Sequence, residues 1–105
     1  MEQERFSALA REYAGTGDVL LFEDGLSPDG LRRLCDAVSR SCGGRCAVFA
    51  GADGSYKYAV IHPGQDISPL IKALNAQLHG RGGGRDGFAQ GSAACTEEEI
   101  RRFWA

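Results

Sequence analysis

The residues of this 105-residue chain that invite a chemical reading lie together, in the run His79-Gly80-Arg81-Gly82-Gly83-Gly84-Arg85-Asp86-Gly87. Glycines let backbone amides come close to an anion, and arginine makes forked hydrogen bonds to phosphate oxygens, so the chemistry on offer is the holding of phosphate. Neither familiar nucleotide loop is present. A Walker A loop has lysine and a hydroxyl residue after its last glycine, and a dinucleotide fingerprint runs from strand into helix. Here the glycines follow a helical pattern and precede a strand pattern. The nearby helix end is its negative one, so a bound phosphate would rest on Arg81, Arg85 and the loop's own amides. The competing reading is a closely packed turn from helix to strand.

The other reactive residue types are scattered. Cys35, Cys42, Cys46 and Cys95 have six, three and forty-eight residues between them, and the histidines are His62 and His79. That is not zinc-site spacing, so no metal site is expected. Without an export signal the cysteines are expected as free thiols, with Cys35 and Cys46 serving as small buried hydrophobes. His62 precedes Pro63-Gly64 and is expected in a loop. No catalytic residue and no cofactor are expected.

The elements that would position the glycine run follow from periodicity. Phe6, Leu9, Ala10 and Tyr13 form a helical stripe ended by Gly15, and Asp18 to Phe22 is a compact apolar strand. Ser27-Pro28 reads as an N-cap with proline at the first helical position, and Leu31, Leu34, Cys35, Val38 and Cys42 carry that helix to Gly43-Gly44. Cys46 to Ala50 and Tyr56 to Ile61 form a hairpin around a five-residue turn. Tyr56 and Tyr58, on one face by period two, are expected under a helix. Ser68-Pro69 repeats the cap signal, and Ile67, Leu70, Ile71, Leu74 and Leu78 stripe a third helix. Phe88 to Ala94 suits an inner strand, and Thr96 with Glu97, Glu98 and Glu99 reads as a capping box for a last helix. The order is α, β, α, β, β, α, glycine loop, β, α. It predicts an α/β (α+β) fold, a layered mixed sheet of four to five strands covered by helices.

Composition sets the frame for these elements. The chain is 43% hydrophobic and 25% charged, neither disordered nor membrane-like, and the length suits one domain over 1–105, with an N-terminal helix in 1–15 and an α/β core in 18–105. No apolar run approaches the ~18 residues of a membrane span. The first ten residues lack the basic-then-apolar pattern of a signal peptide, so a cytoplasmic location is expected. Net charge is −2, yet residues 30–85 hold eight bases against three acids. An acidic chain can therefore carry a basic centre.

The stretch from Gly80 to Gly91 resembles the signature near the C-terminus of alanyl-tRNA synthetases and of the long stand-alone alanyl-tRNA editing proteins. There a G-[KR]-G-G-G-[RK] loop precedes A-Q-G, as Gly80 to Arg85 precede Ala89-Gln90-Gly91. The same domain occurs beside the catalytic domain of DHH phosphoesterases. His79 stands where the family commonly has glycine, and Asp86-Gly87 where it has Pro-Asp. The resemblance implies a non-catalytic domain that grips the outer corner of the tRNA for alanine, in support of aminoacylation and editing. Lys72, with Arg45 and Lys57 as further candidates, is expected as a base touching phosphate beside Arg81, Gly82, Gly83, Gly84, Arg85 and Gln90, the positions that the resemblance places at the nucleic acid. The resemblance also implies a second class of function: a homodimerisation or assembly module, using a sheet edge or the Phe103-Trp104 end, in which the glycine loop is a structural turn. The family's editing zinc centre uses an H-x-x-x-H pair with a distant Cys and His. That pattern is missing here, as is the acid-rich cluster of a DHH phosphoesterase, so no enzyme activity, small-molecule substrate or membrane partner is expected of the chain.

Overall fold

The computed structural model describes the backbone of residues 2–104 and the side chains of residues 6–84 and 86–104. Three of the helices start where local chemistry supplies partners for their free amides. Ser27 Oγ accepts from Gly30 N at 3.0 Å and Pro28 follows it, opening α2 (Pro28–Cys42), which Gly43 ends in the left-handed conformation at φ 82°. Thr96 and Glu99 form the expected reciprocal box at the start of α4 (Glu97–Trp104): Glu99 N donates to Thr96 Oγ1 at 3.2 Å and Thr96 N donates to Glu99 Oε1 at 3.0 Å. The expected cap at Ser68 is different. Ser68 is the first residue of α3 (Ser68–Gln77), and its amide donates to Asp66 Oδ1 at 3.0 Å. These hydrogen bonds hold the Asp66 carboxyl below its ordinary range.

With α1 (Glu2–Glu12), the strands β1 (Gly17–Glu23), β2 (Gly43–Ala52), β3 (Ser55–Ile61), β4 (Gly80–Arg85) and β5 (Phe88–Ala93) complete the order α1-β1-α2-β2-β3-α3-β4-β5-α4. They make one five-stranded sheet, β1-β2-β3-β5-β4, parallel between β1 and β2 and antiparallel elsewhere. The mixed, layered α/β architecture is the one the periodicity predicts, with one change. The glycine run is not a loop but the edge strand β4. It forms a hairpin with β5 through Asp86-Gly87, where Asp86 takes φ 56°, a conformation aspartate tolerates better than most residues.

Period-two alternation divides the core into two. On one face Val19, Leu21, Cys46, Val48, Ala50 and Ala59 meet α2 and Phe6 of α1. On the other Ala47, Phe49, Tyr58, Val60 and Ala89 meet Ile71 and Leu74 of α3 and Ile100 of α4. Tyr56 and Tyr58 are buried beneath this second layer, as expected. Trp104 packs edge-on to Phe49 with ring centroids 5.9 Å apart, so the C-terminal aromatic end docks on the body. Among the described residues, no helix is long and apolar enough to cross a membrane.

All four cysteines are free and buried. Cys35 Sγ lies 3.2 Å from Cys46 O, and burial, reinforced by Cys46, pushes the Cys35 thiol up; burial, then Glu99 and Asp53, raises Cys95. A thiol held protonated and out of solvent is a poor nucleophile. The native chain should therefore resist a thiol reagent such as dithionitrobenzoate at neutral pH. All four groups should titrate once it is unfolded in guanidinium, and rapid labelling of the native form would contradict this.

Candidate nucleic-acid interface

Six residues of which four are glycine make a poor strand by propensity, because glycine has no side chain to pack and loses more entropy than other residues. β4 exists because its neighbours demand closeness. A Cβ at Gly82 would lie 2.5 Å from Gly91 Cα and 2.8 Å from Tyr58 Oη, and one at Gly84 would strike the Phe88 carbonyl. Tyr58 Oη donates to Asn75 Oδ1 at 2.9 Å, and Asn75 Nδ2 donates to Gly82 O at 3.2 Å. This relay ties α3 to the strand. Burial pushes the Tyr58 phenol up, keeping it the donor in that bond. Neither Tyr58 nor Asn75 announces this role in the sequence, and only the partnership of Gly82 with Gly91 across the ladder explains it.

Gly83 is different from its neighbours. Nothing lies within 4 Å of where its Cβ would be, and its φ is not in the left-handed range. The fold itself does not require glycine there. A close approach from outside would.

The ladder's phase determines what the edge presents. Ala94 N donates to His79 O at 3.3 Å, so by alternation Arg81, Gly83 and Arg85 face β5 with their backbone groups. The backbone groups of Gly82 and Gly84 then point away from the sheet, and Asn75 takes the Gly82 carbonyl. Beside them Lys72, Ser68 and Gly82 to Gly84 line a groove of about 220 Å³ between α3 and β4.

On the opposite face directly paired residues make rows across β3, β5 and β4: Lys57, Ser92 and Arg81, then Ala59, Gln90 and Gly83. The α2 helix packs over β1, β2 and β3, where it buries Ala59, and leaves the β5 and β4 part of these rows open. A second groove of about 280 Å³ is lined here by Lys57, Arg81, Gln90 and Ser92. Gln90 Nε2 donates to Pro28 O at 2.7 Å, which anchors the start of α2 to β5. The expected site residues are thus divided by the edge strand, Lys72 with the glycines on one side and Arg81 with Gln90 on the other. The Arg85 backbone pairs with Phe88, while its side chain lies outside the described residues. Arg45 is at the far side, beside β1, where it pairs with Asp18 at 3.6 Å and covers the Trp104 ring at 5.1 Å.

Charge pairing distinguishes these bases. Arg32 and Arg33 pair with Asp29, Arg40 with Asp36, Arg101 with Glu97 and Arg102 with Glu98, each within one helix. Lys57, Lys72 and Arg81 are exposed and make no ion pair among the described residues. They surround the same edge strand. Among the described residues, no cluster of histidine, cysteine and acidic groups is arranged to hold a metal ion.

A helix-covered mixed sheet with a basic, glycine-built edge strand defines a layered α/β domain. Residues 11–104 match the family model of the DHHA1 domain, and the chain belongs to that family. Its fold is that of the C-Ala domain from Aquifex aeolicus alanyl-tRNA synthetase, which superposes with a TM-score of 0.67 at 18% identity, over 85% of this chain and 89% of that one. No curated protein matches the sequence.

Proposed function

We propose that this chain is a nucleic-acid-binding accessory domain whose ligand is tRNA, that for alanine by its likeness to the C-Ala domain, acting beside aminoacylation or editing modules and performing no catalysis itself. One observation carries the reading: of the four described bases left without carboxylate partners, three, Lys57, Lys72 and Arg81, gather at the glycine-built edge strand, and the fourth, Arg11, is on α1. Cations neutralised within their own helix have little to gain from phosphate, whereas Lys57, Lys72 and Arg81 keep their full charge for it. Arg85, at the end of the same strand, and Gln90 complete the contact set. Residues 1–105 act as one unit in this reading, in the cytoplasm, where tRNA is charged.

A second reading, pairing of β4 with a copy of itself, draws on the same outward edge. Two observations weigh against it: Asn75 already caps the Gly82 carbonyl, and like charges on Lys72 and Arg81 would face each other across such a seam.

Titration with tRNA across a salt series tests the proposal. Four basic contacts, Lys57, Lys72, Arg81 and Arg85, should give saturable binding whose logarithmic salt slope is about −3 to −4. Absence of saturable binding at low salt would overturn it. Sedimentation of the same samples tests the second reading, which needs a concentration-dependent dimer.

A further inference from the structure

Every described aromatic side chain but one has a place in a core. Phe6 and Tyr13 pack with the α1 and α2 layer, and Phe22, Phe49, Tyr56, Tyr58, Phe103 and Trp104 with the α3 and α4 layer. Phe88 belongs to neither, and it is only half-buried. It begins β5 directly opposite Ile61, one row beyond Gln90, at the end of the sheet face that α2 leaves open. There it borders a cleft of about 560 Å³, whose apolar floor is Ile61, Pro63 and Phe88 and whose rim carries Arg32, Arg33 and Arg40 against Asp36 and Asp86.

We propose that this cleft takes one unpaired nucleotide, its base stacked on Phe88 while its backbone is held at Lys57 and Arg81; the inference rests on the tRNA-binding reading and names what that interface reads. A flat ring fits an apolar floor, and base stacking on an aromatic side chain tolerates any base because each has a π-face. The cleft also continues the interface. Phe88 and Ser92 are four residues apart on β5, roughly 13 Å, so a strand whose backbone is held at Lys57 and Arg81 can place its next bases over Gln90 and Phe88. Duplex regions, with their bases stacked inside, cannot use this floor.

The test compares two RNA probes of about twelve nucleotides, a length one small domain can cover: a single strand carrying 2-aminopurine and a duplex of the same length. Stacking on Phe88 should quench 2-aminopurine fluorescence in the native chain. Phe88→Leu, which keeps an apolar side chain and so preserves the fold, should abolish the quenching and weaken single-strand binding by about 5- to 150-fold while leaving duplex affinity unchanged. Phe88→Tyr should restore both. If Phe88→Leu binds and quenches the single strand like the native chain, or weakens both probes equally, the base-stacking proposal is wrong while tRNA binding through Lys57 and Arg81 stands. If neither probe nor tRNA binds the native chain, both readings fall.

Discussion

Gly82→Ala should strongly destabilise this domain, and Gly83→Ala, one residue along the same strand, should not. At Gly82 the new methyl would lie 2.5 Å from Gly91 Cα and 2.6 Å from Gln90 O, both backbone atoms of a paired strand, and the residue sits at φ 153° where side chains are strained. Overpacking of this kind costs about 1–3 kcal/mol and sometimes more. For a domain of this size each kcal/mol lowers the melting temperature by about 4–8 °C, so a loss on the order of 10 °C is expected. At Gly83 the methyl meets nothing, and removing glycine's freedom in the unfolded chain is neutral to stabilising by about 0.4–1 kcal/mol. Thermal melts followed by circular dichroism decide the matter. The two variants should also separate in binding: a native-like Gly83→Ala that has lost affinity for tRNA would show that this glycine serves the ligand and not the fold. Equal losses of stability at both positions would mean that β4 is not packed as described.

Replacing Lys57 and Arg81 together by alanine should have the largest effect on tRNA binding. The two lie in one row across β3, β5 and β4, either side of Ser92, and neither is held by an acid. A hydrogen bond to a charged group contributes roughly 1.5 kcal/mol or more, so losing two should weaken binding on the order of 100-fold in low salt. The logarithmic salt slope should become shallower by about 1.4 to 1.8. Stability should stay within about 0.5 kcal/mol, since exposed, unpartnered side chains support nothing. Arg102→Ala, which removes a base already paired with Glu98 at 2.7 Å, is the matched control and should leave affinity unchanged. Lys72→Ala adds a distinction that the double variant cannot make. If it weakens binding as well, the ligand wraps around the edge from one groove to the other; if it does not, the ligand lies on the α2 side alone.

Much of this architecture was legible before any coordinates. Caps are local, and so Ser27-Pro28 and the Thr96-Glu99 box could be read directly, because their hydrogen bonds close within three residues. One strand face was legible from period two, which puts Tyr56 and Tyr58 on the same side, whereas Cys46 to Ala50 is apolar throughout because both its sides are covered. The cap of α3 was misread, because Ser68-Pro69 copies the Ser27-Pro28 pattern while the carboxylate that does the work, Asp66, stands two residues earlier. The glycine run reads as a loop in the sequence, since its intrinsic preference is against a strand.

What the sequence alone determined, then, was the family-like glycine and arginine pattern, the order of elements and the buried face of each, all properties of neighbours in the chain. Tertiary structure decided that Gly80 to Arg85 is an edge strand, because Gly91, Asn75 and Tyr58, remote in sequence, converge on it and leave no room for side chains. It also decided which bases remain available for phosphate, since an ion pair depends on where a carboxylate ends up in space. It decided too that Phe88 faces an open cleft, because α2 ends its cover of the sheet one strand short of it.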